Sequence, residues 1–221
     1  LMKSGSGERG IFNRGGLSVT LPKRRLDALQ DSTNHLGVNP CGEIILQSKQ
    51  FCNLSEVVAR SDDTEKSLLR KMKIATILGT YQSTLVKLGY ISKKWEDNCK
   101  QERLLGVSIT GQWDSREARN PNVLQKLKAE AIKINKQYAK RFEVNPSTCI
   151  TCVKPSGTLS QTVDSSSGMH PRHAPYYIRR VRISATDSLF KMLRDQGVPY
   201  CPEVGQSAEN ATTYVLEFPV K

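Results

Sequence analysis

Asn39, Cys41 and Glu43 put a carboxamide, a thiol and a carboxylate at alternate positions of one short stretch, NPCGE, and a second thiol follows at Cys52. Pro40 confines Asn39 to extended conformations, and Gly42 admits backbone angles closed to other residues, so Cys41 is expected at the tip of a tight loop. A thiol, a carboxylate and an amide at a loop tip supply what radical or nucleophilic thiol chemistry requires. They need a scaffold around them that keeps water out.

A second candidate site is KPSGTLSQTVD at 154–164. A β-rich run over 148–153 leads into a small-residue turn at Ser156, Gly157 and Thr158 and then a short helix. Free backbone N–H groups and the helix dipole converge at such a junction and suit an anion. It lacks the lysine of a Walker motif, so alone it is a weak phosphate signal. Cys149 and Cys152 have CxxC spacing, but a strand puts them on opposite faces and no second CxxC exists, so they read as strand residues. Cys99 and Cys201 read as incidental. His170 and His173 are three apart, yet Pro171 and Pro175 break any helix that would aim them at one metal.

These residues need elements to hold them. Leu21–Leu29 reads as a short amphipathic piece, after a Gly-rich loop over 1–16 and before polar residues 30–34. Ile44, Ile45 and Leu46 begin a strand, and Phe51–Val58 returns toward the core. Asp62 and Glu65 suggest a capping box for a helix running to Leu88, with Leu68, Leu69, Met72, Ala75, Leu78, Tyr81, Leu85 and Leu88 as its apolar stripe and Gly89 as its stop. A short helix or loop over 91–100 and a strand over 104–109 follow. Asn120 and Pro121 are a cap and first-turn pair for a second long helix, with Leu124, Leu127, Ala131, Ile134 and Tyr138 buried. Strands at 176–183 and 213–218 flank a helix capped by Asp187. The alternation predicts an α/β architecture in one domain.

The 221 residues carry 33 Lys and Arg against 21 Asp and Glu, a net charge of +12. The basic residues are spread rather than blocked, which suits a solvated surface with an attraction for anionic ligands such as nucleotides. No zinc-finger, RNA-recognition or helix-turn-helix signature supports nucleic-acid binding. No apolar run approaches the roughly 20 residues of a membrane span, and no signal peptide is visible. Six cysteines in such a chain point to reduced or redox-active thiols in a cytoplasmic protein.

NPCGEI, with FCNLSEVV bringing a second cysteine eleven residues after the first, resembles the active-site finger loop of ribonucleotide reductases. GERGIFNR at 7–14, RLLGVSITG at 103–111, TCVKPSGTLSQ at 151–161 and SSGMHPRHAPYYIRRVRI at 166–183 extend the resemblance in order along nearly the whole chain. The detail is most similar to the monomeric, adenosylcobalamin-dependent ribonucleoside-triphosphate reductases. A diiron-dependent ribonucleoside-diphosphate reductase large subunit is the alternative within the family. A basic nucleic-acid-binding module, or a thiol hydrolase with Cys41 as nucleophile and His170 or His173 as base, are the alternatives outside it.

The resemblance implies that residues 1–221 are the central part of a ten-stranded α/β barrel, incomplete in this chain. It implies that Cys41 is the thiyl radical, Glu43 the base for the substrate 3′-hydroxyl, Asn39 an orienting amide, and Cys52 one of two thiols that reduce the 2′ side. Ser156, Gly157, Thr158 and Ser160 would hold the substrate phosphates. A ribonucleoside triphosphate, adenosylcobalamin, thioredoxin or a similar dithiol, and a deoxynucleotide effector are the implied ligands and partners. The partner thiol of Cys52 is expected upstream of Leu1 and an electron-relaying pair beyond Lys221, so the 221 residues alone are not expected to turn over.

Overall fold

The computed structural model describes residues 10–30 and 33–220. Residues 1–9 of the loop expected over 1–16, with the first residues of GERGIFNR, lie outside the described residues, as do Asp31 and Ser32. The chain divides into two compact units, one ending at Pro171 and the other beginning at Arg172.

The first unit opens with helices α1 (Leu17–Thr20) and α2 (Lys23–Ala28) and a two-residue hairpin of β1 (Gly37–Val38) and β2 (Ile45–Leu46). Its centre is a parallel pair, β3 (Asn53–Val58) and β4 (Leu105–Thr110), in register from Asn53 opposite Leu105 to Val58 opposite Thr110. Helices α3 (Glu65–Gln82) and α4 (Lys93–Glu102) lie between them in sequence, and α5 (Pro121–Arg141) follows. A parallel pair needs a helical crossover to close, and β4 reads LGVSIT with five of its six residues buried, as a strand covered on both faces should.

Val57, Leu68, Met72, Leu105, Val107, Val123, Leu127, Ala131 and Ile150 form the core between α3, α5 and the strands. Each buried leucine or valine contributes about 1.5–3 kcal/mol over an exposed one. Gly79 lets α3 approach β4 closely, since a Cβ there would lie 3.2 Å from Leu105 Cδ2. Asn135, buried in α5, is fully occupied. Its Nδ2 donates to Thr80 Oγ1 and Ser147 Oγ, and its Oδ1 accepts from Ser147 N.

Three expectations need correction. Helix α3 stops at Gln82, six residues before Leu88, where the N–H groups of Thr84 and Leu85 turn to the carbonyls of Tyr81 and Gln82 three residues back, and the Ser83 and Thr84 hydroxyls donate to the carbonyls of Thr80 and Tyr81. Its cap is Thr64, whose Oγ1 accepts from Ser67 N while Ser67 Oγ accepts from Thr64 N. Leu78, Tyr81 and Leu85 are exposed, and Thr76, Gly79 and Thr80 take the buried face instead. By contrast α5 begins as expected, with Asn120 Oδ1 accepting from Asn122 N and Pro121 in the first turn.

The second unit is a three-stranded antiparallel sheet in the order β5-β7-β6, formed by β5 (Tyr177–Ser184), β6 (Tyr200–Pro202) and β7 (Thr213–Val220). Helix α7 (Ser188–Asp195), capped by Asp187, buries Phe190, which stacks on Tyr214 at 4.5 Å. The fold is mixed α/β, with three small sheets among the described residues. Strand β6 escaped the sequence reading because three residues with a terminal proline carry no alternation.

Candidate active site

Asn39 to Ile44 form the loop between β1 and β2. Gly42 N donates to Asn39 O at 2.9 Å and Asn39 N to Ile44 O at 3.1 Å, which closes a tight turn with Pro40 and Cys41 at its corners. Gly42 has φ +78°, the left-handed region that its lack of a Cβ makes available. Asn39 Oδ1 accepts from Ile44 N at 3.1 Å and so braces the loop across its base. Cys41 is exposed at the tip, as the Pro-Cys-Gly sequence requires.

A buried ion pair fixes this loop to the scaffold. Arg25 of α2 donates through Nε to Glu102 Oε2 at 2.7 Å and through Nη1 to the carbonyl of Ile45 at 2.8 Å. Gln47 and Gln50 donate to Glu102 Oε1 at 2.7 and 2.9 Å, and Thr148 Oγ1 to Oε2 at 2.8 Å. The guanidinium and carboxylate are 1% and 0% exposed, so each charge depends on these partners. Burial pushes the Glu102 carboxyl up, but the Arg25 hydrogen bond and charge, with the two glutamines, hold it below the ordinary value.

Glu43 pairs with Lys154, whose ammonium reaches Glu43 Oε1. Burial raises the Glu43 carboxyl, and the Lys154 and Asn39 side chains more than offset it, so the net shift is downward. Lys154 is shifted upward, first by its hydrogen bond to Glu43. Lys154 escaped the sequence reading, which saw KPSG only as lacking a Walker lysine. Its signal was its place directly before the phosphate-type turn.

A cavity of about 260 Å³ opens beside this pair, lined by Glu43, Arg25, Cys52, Cys149 and Cys152 among others. Residues 149–152 run parallel to β4, with Leu105 N donating to Cys149 O and Cys152 N to Val107 O. Only Thr151 forms a bridge, so the run is not the full strand expected over 148–153, and Cys149 and Cys152 both line the cavity. Gly106 makes room for the thiols, because a Cβ there would stand 3.0 Å from Cys152 Sγ and 3.2 Å from Cys52 Sγ. Burial is the first cause of the raised thiol values, pushing Cys52 far up and Cys152 to about 12.

Ser156 caps α6 (Gly157–Thr162) in a left-handed conformation, φ 52°, and its hydroxyl donates to Glu56. The first bond of this helix runs from Ser160 N to Ser156 O, so the N–H groups of Gly157, Thr158 and Leu159 precede it. Gly157 and Thr158 are exposed. Ser160 is buried, with its hydroxyl on the Gly157 carbonyl. The structure therefore groups Asn39, Cys41 and Glu43 on one loop, places Cys52 on the cavity that Glu43 also lines, and ties the Ser156 turn to Glu43 through Lys154.

No protein-family model matches the chain. Among curated proteins it is similar to the adenosylcobalamin-dependent ribonucleoside-triphosphate reductase of Levilactobacillus brevis, 30% identical over 250 aligned positions that cover 98% of this chain and 32% of that protein. The chain is homologous to a segment of these reductases. The protein of the same name from Lactobacillus acidophilus is 29% identical over 217 positions, 84% of this chain and 28% of its own length. The chain thus spans about a third or less of the relatives it matches. A crystal structure of a B-12 dependent, class II ribonucleotide reductase superposes with a TM-score of 0.66 at 24% identity, over 84% of this chain and 29% of the other, which shows a shared fold. Ribonucleotide reductase homology covers both candidate sites in one stretch of sequence.

Proposed function

We propose that this chain is part of a cytoplasmic, adenosylcobalamin-dependent ribonucleoside-triphosphate reductase that converts ribonucleotides to 2′-deoxyribonucleotides for DNA synthesis. Residues 1–221 would be a partial catalytic domain of the ten-stranded barrel type. The observation that carries the reading is the loop at 39–44, which holds an amide, a thiol and a carboxylate beside a cavity lined by Cys52. Among the described residues no helix is long and apolar enough to cross a membrane.

Loss of a ribose 2′-hydroxyl is difficult because hydroxide leaves poorly from an unactivated carbon. A radical at the neighbouring 3′ carbon makes its loss as water feasible. Cys41 takes the 3′ hydrogen as a thiyl radical, Glu43 accepts the 3′-hydroxyl proton, Asn39 orients the substrate hydroxyls, and Cys52 gives reducing equivalents at the 2′ side on the way to a disulfide. Ser156, Gly157 and Thr158 receive the phosphates at the start of α6. Ser160 supports that turn from beneath, because its hydroxyl already serves Gly157.

When bound, adenosylcobalamin supplies the initiating radical. Among the described residues no group of three His, Cys, Asp or Glu forms a metal site, and the chain assigns no residue to hold the cofactor. The exposed thiol of Cys41 fits the reading, since a loop-tip sulfur is open to a bulky group. Thioredoxin or a similar dithiol would restore the reduced thiols, and a deoxynucleotide effector would act on the complete protein.

The test is a hydrogen isotope effect. The complete protein, given CTP with deuterium at the 3′ carbon, should reduce it more slowly than ordinary CTP. An identical rate under single-turnover conditions, with product formed, would remove Cys41 from the role of hydrogen abstractor.

A further inference from the structure

The two oxygens of Glu43 differ in their surroundings. Oε1 is held by the Lys154 ammonium, whereas Oε2 is buried and accepts no hydrogen bond of good geometry, although the Asn39 side chain stands near enough to favour the carboxylate. A buried acceptor left without a donor is costly, and this one belongs to a side chain that lines a cavity, which makes it the oxygen open to a ligand's donor. We infer that Lys154 is the positioning residue for Glu43: by occupying Oε1 it fixes the carboxylate and leaves Oε2 as the oxygen that receives a ribose hydroxyl. The inference rests on the ribonucleotide reading of the site and deepens it.

Several charged and titratable groups face Glu43. Lys154 comes from the segment after Cys152, Cys41 lies on the same loop, and Cys52 precedes β3. Arg24 and Arg25 of α2 and Lys128 of α5 line the same cavity. Only Lys154 makes an ion pair with Glu43 among the described residues. Burial raises the Cys52 and Cys152 thiols, which are neutral at pH 7. Lys154 is therefore the group whose removal changes the field at the carboxylate most. The backbone gives it leverage, since Lys154 is two residues from Ser156, and Ser156 is itself tied to Glu56 of β3.

The test is a carbon-13 NMR titration of the Glu43 carboxyl in the complete protein and its variants. Lys154→Met should raise the proton affinity of Glu43 about tenfold or more, and Lys154→Arg should restore it. An unchanged titration in a folded Lys154→Met chain overturns the inference. If that variant does not fold, the complete wild-type protein still decides: CTP should shift the Glu43 carboxyl resonance, and 3′-deoxy-CTP, which lacks the hydroxyl donor, should shift it far less. Equal shifts with the two nucleotides overturn the inference while leaving nucleotide binding intact. A normal Lys154 effect with no shift from either nucleotide keeps the Lys154–Glu43 coupling and overturns the functional reading it rests on.

Discussion

Lys154 and Glu43, separated by 111 residues of sequence, form an ion pair with side chains 20% and 7% exposed. This contact joins the thiol-bearing loop to the segment that enters the Ser156 turn. The two motifs that stand out in the sequence are parts of one arrangement.

Thiol accessibility follows from the same arrangement. Cys41 and Cys201 are exposed, whereas Cys52, Cys99, Cys149 and Cys152 are buried enough for their thiol values to be raised. The thiolate is the reactive form. Iodoacetamide at pH 8 should label Cys41 and Cys201 first and the other four only after unfolding, as read by peptide mass spectrometry. Early labelling of Cys152 in the folded chain would contradict the cavity as described.

Gly106→Ala should destabilise the chain. Its new methyl would stand 2.6 Å from Leu54 Cδ2 and 3.0 Å from Cys152 Sγ. Overpacking of this kind costs about 1–3 kcal/mol. Urea unfolding should show it as a lower midpoint with an unchanged slope, and a neutral result would mean that the two thiols do not crowd this face.

Arg25→Met leaves the Glu102 carboxylate buried without its cation and should cost about 3–5 kcal/mol. The anchor on the Ile45 carbonyl goes with it, so the labelling pattern at Cys41 should broaden. Retained stability in urea would show that Glu102 is neutral in the fold.

The acid limb reads the same carboxylate. The folded value of Glu102 lies below its ordinary 4.5, so its contribution to stability is present above about pH 4.5 and is lost as pH falls through the folded value. Glu102→Gln should start from a lower stability at pH 7 and decline less below pH 4.5. A parallel decline in the two proteins would remove Glu102 as a source of acid sensitivity.

The elements of each unit were legible where local chemistry decides structure. Asn120-Pro121 marked the start of α5, Asp187 the start of α7, and Pro40-Cys41-Gly42 the turn, each through capping or backbone restriction within a few residues. The end of α3 was not legible, because apolar residues continue to Leu88 while the backbone tightens to i→i−3 bonds at Thr84 and Leu85. Lys154, Glu56 and the Arg25–Glu102 pair were not legible either. Their partners lie 111, 100 and 77 residues away, and pattern along the chain carries no such pairing.

The central claim is that Cys41 carries adenosylcobalamin-dependent radical chemistry on a ribonucleotide. The most direct measurement is deoxy-CTP formation from CTP by the complete protein, with a dithiol reductant and without iron, in the presence and absence of adenosylcobalamin. The expected result is product that requires the cobalamin and disappears in Cys41→Ser. Product in that variant, or product that appears only with an iron-loaded second subunit, would contradict the claim.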